Sequence, residues 1–61
     1  MKVSELVKIL KRNGCKFVRH GKEHDVWQSS ITNKKIRIPR HKNQEIPTGT
    51  AKQILKDAGL N

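Results

Sequence analysis

Two segments of helical periodicity stand at the ends of this chain, each closed by a glycine, and between them lie three short runs that alternate like strands. The first segment puts Val3, Leu6, Val7 and Leu10 on one stripe, with Ile9 at its margin and Glu5, Lys8 and Arg12 on the other side. Ser4 is its expected cap and Gly14 its expected left-handed stop, after which Cys15 folds back towards Leu10. The second segment follows Pro47 and carries Ala51, Ile54, Leu55 and Ala58, with Thr50 and Gln53 spaced as a capping box. Gly59 stops it, and Leu60 is expected to return to Leu55.

Each stripe needs an apolar surface to cover, and the middle of the chain supplies one. Lys16 to Arg19 reads as a short strand, His20 to Glu23 as a turn in which Gly21 supplies a positive φ, and His24 to Gln28 as a second strand. On that second strand Asp25 and Trp27 share one face, and His24, Val26 and Gln28 share the other. Phe17 and Trp27 are the only aromatic residues, so the core needs both; Trp27 is expected to point inward and His24 outward. Ser29 to Asn33 is turn-rich, Lys35 to Ile38 alternates as a third strand that Pro39 ends, and Arg40 to Ile46 reads as a polar loop. The result is an α+β domain over residues 1–61, ordered helix-strand-strand-strand-helix. Its sheet is antiparallel, and both helices lie on one face of it. A domain of 61 residues buries only about 60% of the surface its unfolded chain exposes, so no deep active site is expected.

Fourteen Lys and Arg face five Asp and Glu, a net charge of +9 that attracts polyanions, and nucleic acid becomes the leading partner class. Neither helical segment joins a large apolar face to a strongly cationic one, which argues against a membrane-surface helix. Cys15 is the only cysteine, so an intramolecular disulfide is excluded and packing is a better account of it than a reactive thiol. No cysteine and histidine spacing suits a zinc site, and no cofactor or metal is expected. The absence of an apolar leader or membrane-length run points to a cytoplasmic protein.

The element order is the topology of the double-stranded-RNA-binding domain, and the residues carry a closer resemblance. A lysine-rich first helix ending in Asn13-Gly14 is followed by His24-Asp25-Val26-Trp27 and then by Ile38-Pro39-Arg40-His41. Glu45-Ile46-Pro47-Thr48-Gly49-Thr50 and Ile54-Leu55-Lys56-Asp57-Ala58-Gly59-Leu60 complete the pattern. In this order and spacing the chain resembles the HicA family of bacterial toxins, the messenger-RNA interferases. One departure stands out: where the family commonly has Gly-Ser-His, this chain has Lys22-Glu23-His24, with its glycine one place earlier at Gly21.

The resemblance implies a metal-independent endoribonuclease that cleaves mRNA, with His24 in the place of the family's catalytic histidine and a HicB-type antitoxin as partner, covering the basic sheet face. The chemistry is consistent with that assignment. RNA cleavage without a metal needs a proton removed from the 2′-hydroxyl and one delivered to the leaving 5′-oxygen, and an imidazole titrating near neutrality can do either. Lys22, Arg37 and Arg40 are candidates to neutralise charge on the phosphate, His41 is a supporting candidate in the loop, and Lys34 and Lys35 add basic surface. His20 is expected to be a solvated turn residue. Glu23 and Asp25 leave the strand on the face opposite His24 and are expected to be solvated charges near the site. The plainer reading is that His24 is an ordinary strand residue in a non-catalytic RNA-binding module. A DNA-binding domain ranks lower, because neither helix concentrates base-reading polar residues on its exposed side.

Overall fold

The computed structural model describes residues 1–60; Asn61, the last residue of the expected domain, lies outside them. Helix α1 spans Val3–Arg12, strands β1, β2 and β3 span Lys16–His20, His24–Gln28 and Lys35–Pro39, and helix α2 spans Thr48–Asp57. The strands form one antiparallel sheet in the order β1-β2-β3. In the β2–β3 ladder Trp27 faces Ile36 and Asp25 faces Ile38, which puts these four on one side of the sheet, with His24, Val26 and Gln28 opposite Pro39, Arg37 and Lys35 on the other. Trp27, Ile36 and Ile38 join Val3, Leu6 and Leu10 of α1, Ala51 and Ile54 of α2 and its C-cap Ala58 in a single buried cluster. Both helices therefore lie against the same sheet face, the double-stranded-RNA-binding-domain-like arrangement. Trp27 is inside and His24 is exposed on the other face, as expected.

The helix stops are those expected and the helix starts are not. Gly14 (φ 82°) and Gly59 (φ 77°) are both left-handed. Cys15 N–H donates to Leu10 C=O at 2.9 Å and Leu60 N–H to Leu55 C=O at 2.9 Å, closing a Schellman motif at each end. Cys15 is accordingly buried. Ser4, by contrast, lies inside the first turn of α1, and no side chain caps that helix. The orphan N–H groups of Val3 and Ser4 donate instead to the carbonyls of Gln44 and Lys42, at 3.0 and 3.1 Å. Thr50 likewise lies within α2, whose cap position is Pro47; Gln53 pairs with Asp57 at 3.0 Å and not with a cap. Ile46, expected in a polar loop, is buried: its N–H donates to Met1 C=O at 2.8 Å, and Lys2 bridges Glu45, so residues 44–46 run as a short extension beside the N-terminus.

Strand β1 is irregular. Phe17 pairs with Trp27 and Arg19 with Val26, so Val18 is an extra residue that the partner strand does not match. Lys16 and Arg19, three positions apart, therefore share the open face, and Phe17 stays on the side of Trp27, its ring 5.8 Å from the indole in an edge-to-face contact.

Candidate functional site

The turn that delivers His24 is held by backbone and side-chain bonds together. Gly21 N–H donates to His24 C=O at 2.7 Å, closing the turn between β1 and β2. Gly21 is not one of the positive-φ glycines; a Cβ there would lie 2.5 Å from the carbonyl oxygen of His24, so the close approach of two backbone segments is what demands glycine. The Arg40 side chain reaches the same turn from beyond β3: its Nη2 donates to Gly21 C=O, and its Nε donates to Asp25 Oδ1 at 3.3 Å. His20 Nδ1–H donates to the same oxygen at 2.7 Å, and its ring lies tilted against that of Phe17, with centroids 4.9 Å apart.

Two expectations are thereby corrected. His20 ends β1 and is not a turn residue, its largely exposed ring being engaged with Asp25, and Asp25 is a partly buried acceptor for His20 and Arg40 and not a free solvated charge. The reason is parity: Asp25 points to the core side of the sheet at its edge, where His20 is its cross-strand partner. The His20 hydrogen bond is the main cause that holds the Asp25 carboxyl below its ordinary range; burial opposes it, and the His20 charge and the Arg40 hydrogen bond and charge reinforce it. Asp25 and His20 do not share a face with His24, whose side chain leaves on the other side of the sheet; Arg40 alone belongs to both surroundings.

Lys22, Glu23, His24, Arg40, His41 and Gln44 line one open groove of about 430 Å³. Four of the sequence candidates, Lys22, His24, Arg40 and His41, are thus brought together. His41 is carried by a loop whose backbone is already in use: Gln44 N–H donates to His41 C=O at 3.1 Å, and the Lys42 and Gln44 carbonyls cap α1. The other candidates are further away. Arg37 is on the same open face one row along, opposite Val26; Lys35 is opposite Gln28, about 13 Å from the His24 row at the rise of a strand; and Lys34 lies in the turn beyond. Arg40 is more committed than its sequence position suggested, since its guanidinium braces the turn as well as facing the groove. Gln44 escaped the sequence reading because nothing in a polar loop signals which residue the helix start will draw in. Among the described residues no three His, Cys, Asp or Glu side chains are placed to hold a metal ion, and no helix is long and apolar enough to cross a membrane.

Residues 3–60 match the family model described as HicA toxin of bacterial toxin-antitoxin. No curated protein and no solved structure matches the chain.

Proposed function

The chain belongs to the HicA toxin family of bacterial toxin-antitoxin, and from that premise we propose that it is an endoribonuclease toxin that cleaves mRNA without a metal, with His24 as general acid or base. The observation that carries this reading is the groove in which His24 and His41 stand with Lys22 and Arg40. His24 is exposed there, at the rigid start of a strand, with no intramolecular partner for its imidazole among the bonds that fix the turn. A phosphodiester entering the groove has an imidazole available to take the 2′-hydroxyl proton as that oxygen attacks phosphorus, or to return a proton to the 5′-oxygen as its bond to phosphorus breaks. Lys22 offers positive charge for the phosphate oxygens, and His41 is the second imidazole available for the complementary proton transfer. Lys22-Glu23 in place of Gly-Ser puts a cation and a carboxylate where the family commonly has small residues. The partner in this reading is a HicB-type antitoxin that covers the basic face, and the place of action is the cytoplasm.

The test is cleavage of mRNA by pure protein in EDTA, for the wild type and His24→Ala. Wild type should cleave with metal chelated. His24→Ala should fold and bind RNA as before but cleave about 10²- to 10⁴-fold more slowly, the usual range for general acid-base assistance. Activity that returns only when a divalent ion is added, or a His24→Ala protein as fast as wild type, would sink the assignment.

A further inference from the structure

The sheet face opposite the helices carries an ordered array of cations. Arg19, Val26 and Arg37 form one cross-strand row, and Lys16, Gln28 and Lys35 form the next. Each row sets one cation on β1 and one on β3, astride β2, and His24 stands at the head of β2 opposite Pro39. Successive rows on one face are about 7 Å apart along the strands, and the two outer strands are about 10 Å apart. Both cations of both rows are exposed, and no acidic side chain shares the strand positions of this face. The unmatched Val18 makes the array possible: with regular alternation Arg19 would share the core side with Phe17, and the bulge turns it to the open face beside Lys16. Val26, at the centre of the face, is 6% exposed although it belongs to no part of the core cluster. The side chains opposite it are Arg19 and Arg37, whose methylene stems can cover it while their charged heads remain in water.

We propose that these two rows are a phosphate track for a single RNA strand running along β2 into the groove at His24, with Lys16 and Arg19 as binding residues beside Arg37 and Lys35. The proposal rests on the RNA-cleavage reading above for the identity of the polyanion. Three features favour an unpaired strand. The row spacing is comparable to the phosphate step of an extended single strand. The face is about two inter-strand spacings wide, enough to flank one backbone with cations on both sides. Attack by a 2′-oxygen also needs it in line with the departing 5′-oxygen, a geometry that a stacked A-form duplex holds away from and an unpaired strand reaches freely. Trp27 is buried, and Phe17, 45% exposed and outside the core cluster that was expected to hold it, stands on the helix side at the sheet edge, so the open face offers no platform for base stacking. Recognition should therefore be of the backbone, tolerant of sequence and steeply dependent on salt.

The experiment measures the affinity of single-stranded RNA oligonucleotides of two to ten nucleotides, 2′-deoxy throughout the cleavable positions, across a salt series. Because nothing is cleaved, its outcome is separable from whether His24 is catalytic. Lys16→Gln with Lys35→Gln should lower the magnitude of the log-log salt slope by about 1.4, at roughly 0.7 per lost contact to a single strand, for oligonucleotides long enough to reach the second row. The same pair should leave the affinity of dinucleotides unchanged. Arg19→Gln with Arg37→Gln should lower the slope equally and act on shorter oligonucleotides. Lys8→Gln with Lys11→Gln on α1, and Lys52→Gln with Lys56→Gln on α2, should change neither. Equal losses from the helix variants, an unchanged slope in the sheet variants, or tighter binding of a duplex of the same length would each overturn the track. So would sheet variants that keep RNA affinity and lose only an acidic protein partner, since the face would then be a protein interface.

Discussion

The two ends of β2 are secured by opposite means. At the end of the strand, Ser29 is 1% exposed and its hydroxyl donates to Ala58 C=O at 2.7 Å while accepting from the N–H groups of Ile31 and Thr32 at 3.0 and 3.1 Å. Thr32 Oγ1 donates to Asp57 C=O at 2.7 Å and accepts from Lys34 N–H. The β2–β3 turn is thereby fastened to the C-terminal end of α2 by neutral, mostly covered bonds, and among the described residues no buried side-chain polar atom is left unpartnered. At the start of the strand, the turn is fastened by Arg40, Asp25 and His20, which are charged or chargeable groups in partial contact with solvent. A neutral buried knot depends little on salt or pH. An exposed ionic brace depends on both, and it keeps polar side chains near water, where a polyanion can reach them. The strand thus has a buried, neutral end and an exposed, ionic end that borders the groove at His24.

The largest expected effect breaks the buried end. Ser29→Ala removes one donor and one shared acceptor, and stranding the Ile31 and Thr32 N–H groups and the Ala58 carbonyl should cost about 2 to 4 kcal/mol, part of the loss being recovered by water. At about 4 to 8 °C per kcal/mol for a domain of this size, thermal melting should shift by about 8 °C or more. A Ser29→Ala protein melting within a degree or two of wild type would show that the knot is not what holds this end.

The next effect is at the other end and should register in function more than in stability. A methyl group on Gly21 would sit 2.5 Å from the His24 carbonyl oxygen, so the turn must move. In an exposed turn that should cost about 1 kcal/mol, at the low end of overpacking penalties. A displacement of His24 on the order of 1 Å, however, should slow cleavage by up to about 10²-fold. Gly49→Ala is the contrast, because nothing lies within 4 Å of a Cβ there and α2 should gain about 0.5 to 1 kcal/mol. Circular-dichroism melts and cleavage rates on both variants decide this; Gly21→Ala cleaving at the wild-type rate would separate the turn from the site.

The sequence disclosed these features unevenly, for physical reasons. Stripes and glycine stops are properties of near neighbours, so Leu6, Gly14 and Gly59 could be placed from spacing alone; parity left the buried face of β2 open between Val26 and Trp27, and the scarcity of aromatic residues decided for Trp27. The caps of α1 could not, because the carbonyls of Lys42 and Gln44 do the work of Ser4 from about forty residues away. Gly21 was identified as special for the wrong reason, since a close approach leaves no local signature. Arg19 was hidden by the bulge: one unmatched residue reverses the parity of everything after it, and the strand reads equally well without it. Ser29 lay in a stretch that reads only as turn. His24, Arg40 and His41 stand in segments that resemble a family pattern and Lys22 stands where the chain departs from it; the structure brings all four to one groove, where Arg40 also braces the turn.

The smallest effect tests whether the brace is ionic. Asp25 holds its proton less tightly in the folded protein than its ordinary value of 3.8, chiefly because His20 donates to it and secondarily through Arg40. A carboxyl with a depressed folded-state pKa contributes stability that is fully present above its unfolded pKa and is lost as pH falls through the lower folded value. Asp25→Asn keeps an acceptor oxygen but removes the charge, so near pH 7 it should melt only slightly below wild type, since exposed ion pairs are worth about 0.2 to 1 kcal/mol. The gap between the two proteins should close below about pH 4, as the wild-type carboxyl takes up its proton. Raising the salt at neutral pH should narrow the same gap, because the contributing charges are in contact with solvent. Ser29→Ala, measured alongside, should keep its full deficit across both series. If the Asp25→Asn gap is instead the same at pH 3 and pH 7, the brace works through hydrogen-bond geometry alone, and the two ends of β2 differ in exposure but not in kind.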